Sequence, residues 1–285
     1  VYLQELPPRP AAVEPAVRLR HIDLGMVAGI AIAVLATAAG IATTGVSLHY
    51  FFQPTGVLIV LGGTIGVIFI TTPRRSLQHA ARRASELFWT PQVNREELIE
   101  EIVSFSRVIR NKGLYMIEPM IAKVTHPFLA EGLLMALDVH ERGELASAME
   151  NHLRLRERQG EADAKILEVA GGFAPTIGVL GTVVGLINVL RQFSTPSAVA
   201  SGVGTAFVST IYGLALANLV MLPAAHRIRA RVAETFETQE LIMEGVLCLY
   251  DKIHPSLLRQ RLRCFLREPA AVEHGVPVTT GSAAV

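Results

Sequence analysis

The sequence predicts an all-α fold: a polytopic membrane protein with four transmembrane helices and a helical cytoplasmic domain. Composition sets the class, because 51% of the residues are hydrophobic, 18% are charged and the mean hydropathy is +0.40. Four apolar stretches, residues 22–44, 55–72, 169–190 and 199–223, each approach the roughly 20 residues a helix needs to cross a hydrocarbon core. Basic residues mark one side. Arg18 and Arg20 precede the first stretch, Arg74, Arg75, Arg82 and Arg83 follow the second, and Arg227, Arg229 and Arg231 follow the fourth. The other connectors carry Arg191 at most. Lys and Arg are retained in the cytoplasm, so both termini are expected there.

Residues 1–20 are Pro-rich and polar and are expected to form a flexible arm. They lack the short apolar core of a cleaved signal peptide. The chain opens on Val1 rather than Met, so its numbering is expected to begin inside a longer gene product. Residues 21–72 hold the first two spans. In the first, Gly25, Gly29 and Ala33 recur every fourth position, a strip that lets another helix approach closely in lipid. Asp23 before it reads as a solvated cap at a helix N-terminus, where negative charge is favoured. The second span carries Gly62, Gly63 and Gly66 and stops at Pro73.

Residues 73–168 form the expected cytoplasmic helical domain, with nearly balanced charge. Asn94 followed three residues later by Glu97 reads as a capping box. Leu98, Ile99, Ile102 and Val103 then make one apolar face, and Gly113 closes the helix. A second helix is expected from about Pro127 to His140, breaking near Gly143. A third starts near Glu144 and runs into the third span, with Gly160 as its weak point. Residues 169–223 are the third and fourth spans. Beyond Pro223, Ile228, Val232, Phe236, Ile242, Val246 and Leu249 keep roughly helical spacing. Residues 224–267 therefore read as cytoplasmic helices, the last running from Ser256 to about Leu266. Residues 268–285 read as a disordered tail. No strand pattern, nucleotide loop or internal repeat is legible. Cys248 and Cys264 follow no metal or disulfide spacing, and a net charge of +1 argues against a nucleic-acid surface.

Candidate chemistry lies in the third and fourth spans. Neither contains Asp, Glu, Lys, Arg or His. Ala170, Ala174, Gly178 and Thr182 form one stripe of small residues, and Thr205, Ser209, Gly213 and Ala217 form another. Such stripes serve either close helix packing or a pore lining. The hydroxyls of Thr182, Ser209 and Thr210 can meet water or a partly dehydrated cation, or bond the preceding turn. Pro175 removes a backbone bond inside the third span, and Pro223 lies at the inner end of the fourth. An ion conductor needs a titratable group at depth. This chain has none there, so a partner helix carrying Asp or Glu would complete the path. A hydrolase built on Ser209 or Thr210 would lack any His or Lys base in the spans, so the chain reads as no enzyme.

The runs FAPTIGVLGTVVGLINVL, TAFVSTIYGLALANLVMLP and LIMEGVLCLYD resemble the MotA/PomA flagellar stator subunit, within the MotA/TolQ/ExbB proton-channel group. Four spans with the large insertion between the second and third are similar to MotA rather than to three-span TolQ and ExbB. The resemblance implies a homopentamer around a MotB-like single-span subunit that carries the ion-binding Asp, embedded in the lipid of a bacterial inner membrane, binding no nucleic acid and needing no cofactor. Ion passage would turn the ring and drive the flagellar rotor switch protein. Pro175, Thr182, Ser209, Thr210 and Pro223 would then line the ion path. Arg110 and Glu118, with Lys112 between them in sequence, would face the rotor. Sodium-type relatives carry Asp where this chain has Gly172 and Gln53, so H+ is expected to be the ion. Thr182, a residue the sodium types keep, leaves Na+ as the other candidate. A non-flagellar TolQ/ExbB-type energiser of an envelope machine is the alternative reading.

Overall fold

The computed structural model describes residues 20–22, 24–45, 51–86, 89–91, 93–191 and 196–266. The expected N-terminal arm up to residue 19, Asp23 and the expected tail lie outside these. The chain forms two compact units, each interleaving distant segments.

The unit built from Pro15–Gln92 and Glu150–Phe236 holds the apolar spans. α1 (Leu24–Thr43) and α2 (Pro54–Thr71) contain no charged residue. Pro54 opens α2 at a position where its missing N–H costs nothing. Thr72 closes α2 in extended conformation, donating its N–H to Ile68 O, because Pro73 follows. α3 (Arg74–Glu86) comes next. It was not anticipated, because its arginines read as a topology signal and its apolar face is only Leu77, Ala80 and Ala84. A short antiparallel pair joins β1 (Arg20–Ile22) to β2 (Trp89–Pro91), with His21 opposite Thr90. No strand pattern was legible there, since three residues are too few to display alternation.

α7 (Arg142–Leu190) is a single helix of 49 residues, running through Gly160 and Pro175 without interruption. α8 (Pro196–Ala215) leads into a π-helical turn (Leu216–Met221) and then α9 (Leu222–Tyr250). Within this unit α7 and α9 meet over Ala164, Ile228 and Val232, with Leu167 and Ala224 packed alongside. Among the described residues, no helix packs closely on the strip at Gly29. The strip of Gly25, Gly29 and Ala33 borders an apolar groove of about 550 Å³ shared with Ala84, Leu167 and Pro223, and a Cβ on Gly29 would meet nothing within 4 Å.

The other unit joins Val93–Met149 to Glu237 and the residues after it. α4 (Arg95–Lys112) begins at Asn94, whose Oδ1 accepts from the N–H groups of Glu96 and Glu97 at 3.1 and 3.4 Å. Glu97 answers the Asn94 side-chain amide at 2.9 Å, not its backbone, so the cap is a variant of the expected box. Gly113 ends α4 at φ 89°, a left-handed value that favours glycine. A 3-10 turn (Leu114–Ile117), α5 (Glu118–Ile121) and α6 (Pro127–Asp138) follow. The break after α6 comes at Val139, which is extended, and Gly143 instead sits in the first turn of α7. α10 (Pro255–Arg263) closes the unit, with His254 Nδ1 capping Ser256 N–H. The core here is dense: Ile102, Val103, Leu129, Leu133, Leu241 and Ile242 are fully buried.

Candidate functional site

Two sets of residues were expected to carry function, and each falls within a different unit. In the spanning unit, the small-residue stripes of α7 and α8 face each other at close range. A Cβ on Gly178 would lie 2.9 Å from Ser209 O and 3.2 Å from the Gly213 Cα. A Cβ on Gly213 would lie 2.5 Å from Ala174 O. Two backbones can approach this closely only where no side chain intervenes, so within one chain the stripes serve packing. Ser209 is buried between helices: a Cβ on Gly56 of α2 would meet its Oγ at 2.7 Å, and one on Gly181 its Cβ at 2.8 Å.

Thr182 and Thr210 meet across this contact, their Oγ1 atoms 2.5 Å apart. The Thr182 hydroxyl is also placed to donate to Gly178 O at 3.2 Å on its own helix or to Ala206 O at 3.1 Å on α8. A hydroxyl has one proton, so one threonine must accept from the other. The pair is a small, half-buried polar joint in an otherwise apolar wall. The side chain of Thr205 lies outside the described residues.

Pro175 is half-buried on α7, one turn before Gly178. It leaves the Gly171 carbonyl without its usual helical donor. Gly172 beside it is exposed, and a Cβ there would meet nothing within 4 Å. Pro223 is exposed and is the second residue of α9, just past the π-helical turn, where Leu222 N–H reaches back five residues to Ala217 O. Because Pro223 has no N–H, the carbonyl ladder is already broken at this point, and a wider turn fits there.

Sequence reasoning missed Tyr212. Its hydroxyl donates to Phe51 O and accepts the Gln53 N–H at 3.2 Å, tying the entry of α2 to α8. A lone Tyr in an apolar span, with a polar tip needing a partner, was the available signal. It also missed the ion pairs beside the third span. Arg229 of α9 forks onto Glu168 at 2.9 and 3.3 Å and reaches Glu161 at 3.2 Å. That fork, with a second bond from Lys165, holds the Glu168 carboxyl down to about 2. Arg83 of α3 meets Asp163 at 3.1 Å. Burial raises the Asp163 carboxyl above its ordinary range, and Arg83 and His79 pull it partly back. A Cβ on Gly160 would lie 2.7 Å from Arg83 Nη1, so the glycine leaves room for this pair.

In the other unit, Arg110, Lys112 and Glu118 are all exposed. Among the described residues none of them makes an ion pair, and Arg110 and Glu118 do not bond each other. Lys112 lies two residues past Arg110, about 200° around the axis, so it is not on the same face. No group of His, Cys, Asp or Glu among the described residues could hold a metal ion.

Two family models match consecutive parts of the chain. Residues 27–113 match the Motility protein A N-terminal model, and residues 120–240 match the MotA/TolQ/ExbB proton channel family. Motility protein A of Bacillus subtilis is 29% identical over 246 residues, covering 86% of this chain and 91% of the relative. Chemotaxis protein PomA of Vibrio alginolyticus is 27% identical, covering 86% of this chain and 94% of the relative. Among solved structures, the flagellar MotAB stator complex from Bacillus subtilis superposes with a TM-score of 0.79 at 29% identity, covering 85% of this chain and 95% of that one. The C. jejuni MotAB structure has a TM-score of 0.82 at 24% identity, covering 88% and 98%, and shares the fold.

Proposed function

From its membership of the MotA/TolQ/ExbB proton channel family, to which this chain belongs, we infer that it is a MotA-like stator subunit of the bacterial flagellar motor. The observation that carries this reading is the uncharged pair formed by α7 and α8, packed through small residues and joined by Thr182 and Thr210. The third and fourth spans hold no Asp, Glu, Lys, Arg or His and the first two no carboxylate at depth, so the chain must work beside one that supplies such a group. A MotB-like single-span partner supplies that Asp, and copies of this chain form a homo-oligomer around it. The match to the motility-specific N-terminal model favours a flagellar machine over a TolQ/ExbB-type energiser.

In this reading the chain is a channel-type motor part and catalyses no covalent chemistry. Pro175, Thr182, Ser209, Thr210 and Pro223 border the ion path. Ser209 acts from behind, holding α2 against α7 and α8. The Gly171 carbonyl freed by Pro175 gives α7 a place to flex as the partner Asp gains and loses its proton. The transported ion is H+, because Gly172 and Gln53 put no carboxylate where a sodium ion would be gathered. Both termini and the unit containing α4 lie in the cytoplasm, by the placement of Arg74, Arg75, Arg82 and Arg83. Arg110 and Glu118 face the rotor switch protein there. Exposed opposite charges suit a contact that must form and break, since each exposed pair gives about 0–1 kcal/mol.

The test is complementation of a stator-null host by this chain and its single-span partner. Arg110→Glu and Glu118→Lys reduce swimming in a rotor background already weakened in charge, and reversing the matching rotor charge restores it. Unchanged swimming in that background removes the rotor contact from these residues.

A further inference from the structure

The apolar groove of the spanning unit has no part in the ion path. It lies between α1, α3, α7 and the stretch from the π-helical turn into α9, and its volume is about 550 Å³, within the range of small-molecule sites. One wall runs along α1 from Gly25 to Ala33, and the facing wall runs from Asn218 to Arg227. At 1.5 Å per residue both walls are about 12–14 Å long. α1 leaves the cytoplasmic side and α8 returns to it, so Gly25 and Arg227 share the inner end while Ala33 and Asn218 lie deeper. The two ends differ in polarity. Among the described residues, Arg227 is the one charged side chain that lines the groove, and it is exposed. The amide of Asn218 at the other end is turned back onto its own helix, donating to Leu214 O at 2.9 Å. A Cβ on Gly29, midway along, would meet nothing within 4 Å.

We propose that this groove holds one acyl chain of an anionic phospholipid of the inner leaflet, with the headgroup phosphate at Arg227; this rests on the reading that places Arg227 at the cytoplasmic face. Charge selects the occupant first. A guanidinium at the mouth and no acid along the walls suit a phosphate. The apolar spans of a second copy bring no carboxylate to Arg227, and the partner's acid is placed beside Pro175. Shape agrees. A helix with its side chains is 10–12 Å across and would lie over the groove rather than fill it, whereas one extended chain can run along its length. The surroundings agree as well. α3, which contributes Ala84 to the lining, exposes Arg74, Arg75 and Arg82 directly after the second span, and such a juxtamembrane basic cluster draws anionic lipid.

The experiment takes the full-length chain with its single-span partner in nanodiscs of equal phosphatidylglycerol and phosphatidylcholine, and counts the lipids retained on the released complex by native mass spectrometry. The unmodified complex keeps phosphatidylglycerol over phosphatidylcholine by about fivefold, the factor that one basic residue at an anionic surface supplies. Gly29→Leu fills the groove and lowers retained lipid about tenfold or more, since each methylene left unburied costs about a factor of four. Gly40→Leu, on the same helix but outside the groove and equally open, leaves retention unchanged. Arg227→Gln, which leaves the groove unfilled, keeps lipid but brings the two headgroups to near parity, and Arg227→Lys restores the preference. Equal retention by Gly29→Leu and the unmodified complex overturns the site, and equal retention of the two lipids by the unmodified complex overturns its anionic occupant. If Gly29→Leu instead changes the number of copies or strips the partner from the complex, the occupant is a helix and the proposal is wrong. Swimming of a stator-null host judges the motor reading separately: a complex that supports swimming without retaining lipid overturns the groove alone.

Discussion

At Thr182 the observed packing role and the proposed role in transport can be separated by experiment. Its hydroxyl joins α7 to Thr210 and Ala206 of α8. Hydrogen bonds between membrane helices contribute only about 0.6 kcal/mol on average. Thr182→Val keeps the shape and deletes the hydroxyl, so assembly with the partner, read by co-purification, stays near wild type. Ion-driven swimming falls by tenfold or more if the hydroxyl serves the ion path, and stays within about threefold if it is only a clasp. Glu168 yields a pH prediction of definite sign. Its carboxyl is held down to about 2 against an ordinary 4.5 by Arg229 and Lys165. A lowered carboxyl contributes stability above its unfolded value and loses it as pH falls toward the folded value. Thermal stability therefore drops between about pH 4.5 and 2. Glu168→Gln flattens that part of the profile, measured by melting temperature across the acid range. Asp163 has the opposite sign, because burial makes its ionised form costly and a falling pH relieves that cost.

At the scale of elements, glycines that look alike in sequence separate sharply. Gly178 and Gly213 sit where two backbones touch, and Gly29 borders open space. Gly178→Val forces a side chain against the Ser209 carbonyl and Gly213, where backbone cannot yield, and abolishes folded protein in the membrane. Gly29→Val leaves the yield of chain purified with its partner unchanged. Asn94→Ala removes the α4 cap and costs about 1 kcal/mol, read as a shift in melting temperature. The spans, the Asn94 start, the Gly113 stop and the unbroken course of α7 were all legible, because each has a local cause: length, a cap, a positive φ, unbroken helical spacing. α3 was not, because its apolar face is short and its partners, Asp163 bonded to Arg83 and the room left at Gly160, are distant in sequence. The π-helical turn was not either, since Pro223 announces a lost bond but not how the chain absorbs it. The candidate residues of the site were named from sequence, whereas their pairing was not. Nothing in the spacing of Thr182 and Thr210 states that their hydroxyls meet.

For the whole molecule, the proposed division of labour between this chain and its partner bears on which ion is used. The spanning unit leaves large apolar side chains such as Leu58, Ile70 and Leu180 exposed, and its third and fourth spans hold no Asp, Glu, Lys, Arg or His. A sodium ion must be stripped of water by several oxygens, and here the chain offers hydroxyls and carbonyls but no carboxylate near Pro175. Within this chain nothing lies within 4 Å of a Cβ on Gly172, so the chain's own packing does not exclude a larger residue there. A proton needs less: one acid on the partner and a polar joint beside it. Swimming powered by this chain and its partner therefore persists when Na+ is replaced by K+, and stops when a protonophore collapses the proton gradient. On the proposed reading, Gly172→Asp places a charge beside the partner acid, raises the cost of ionising it, and slows swimming more steeply at neutral pH than at pH values where the new Asp is protonated. Swimming that followed the Na+ concentration in the unmodified chain would reverse the assignment and make the hydroxyls of Thr182 and Thr210 the cation's ligands.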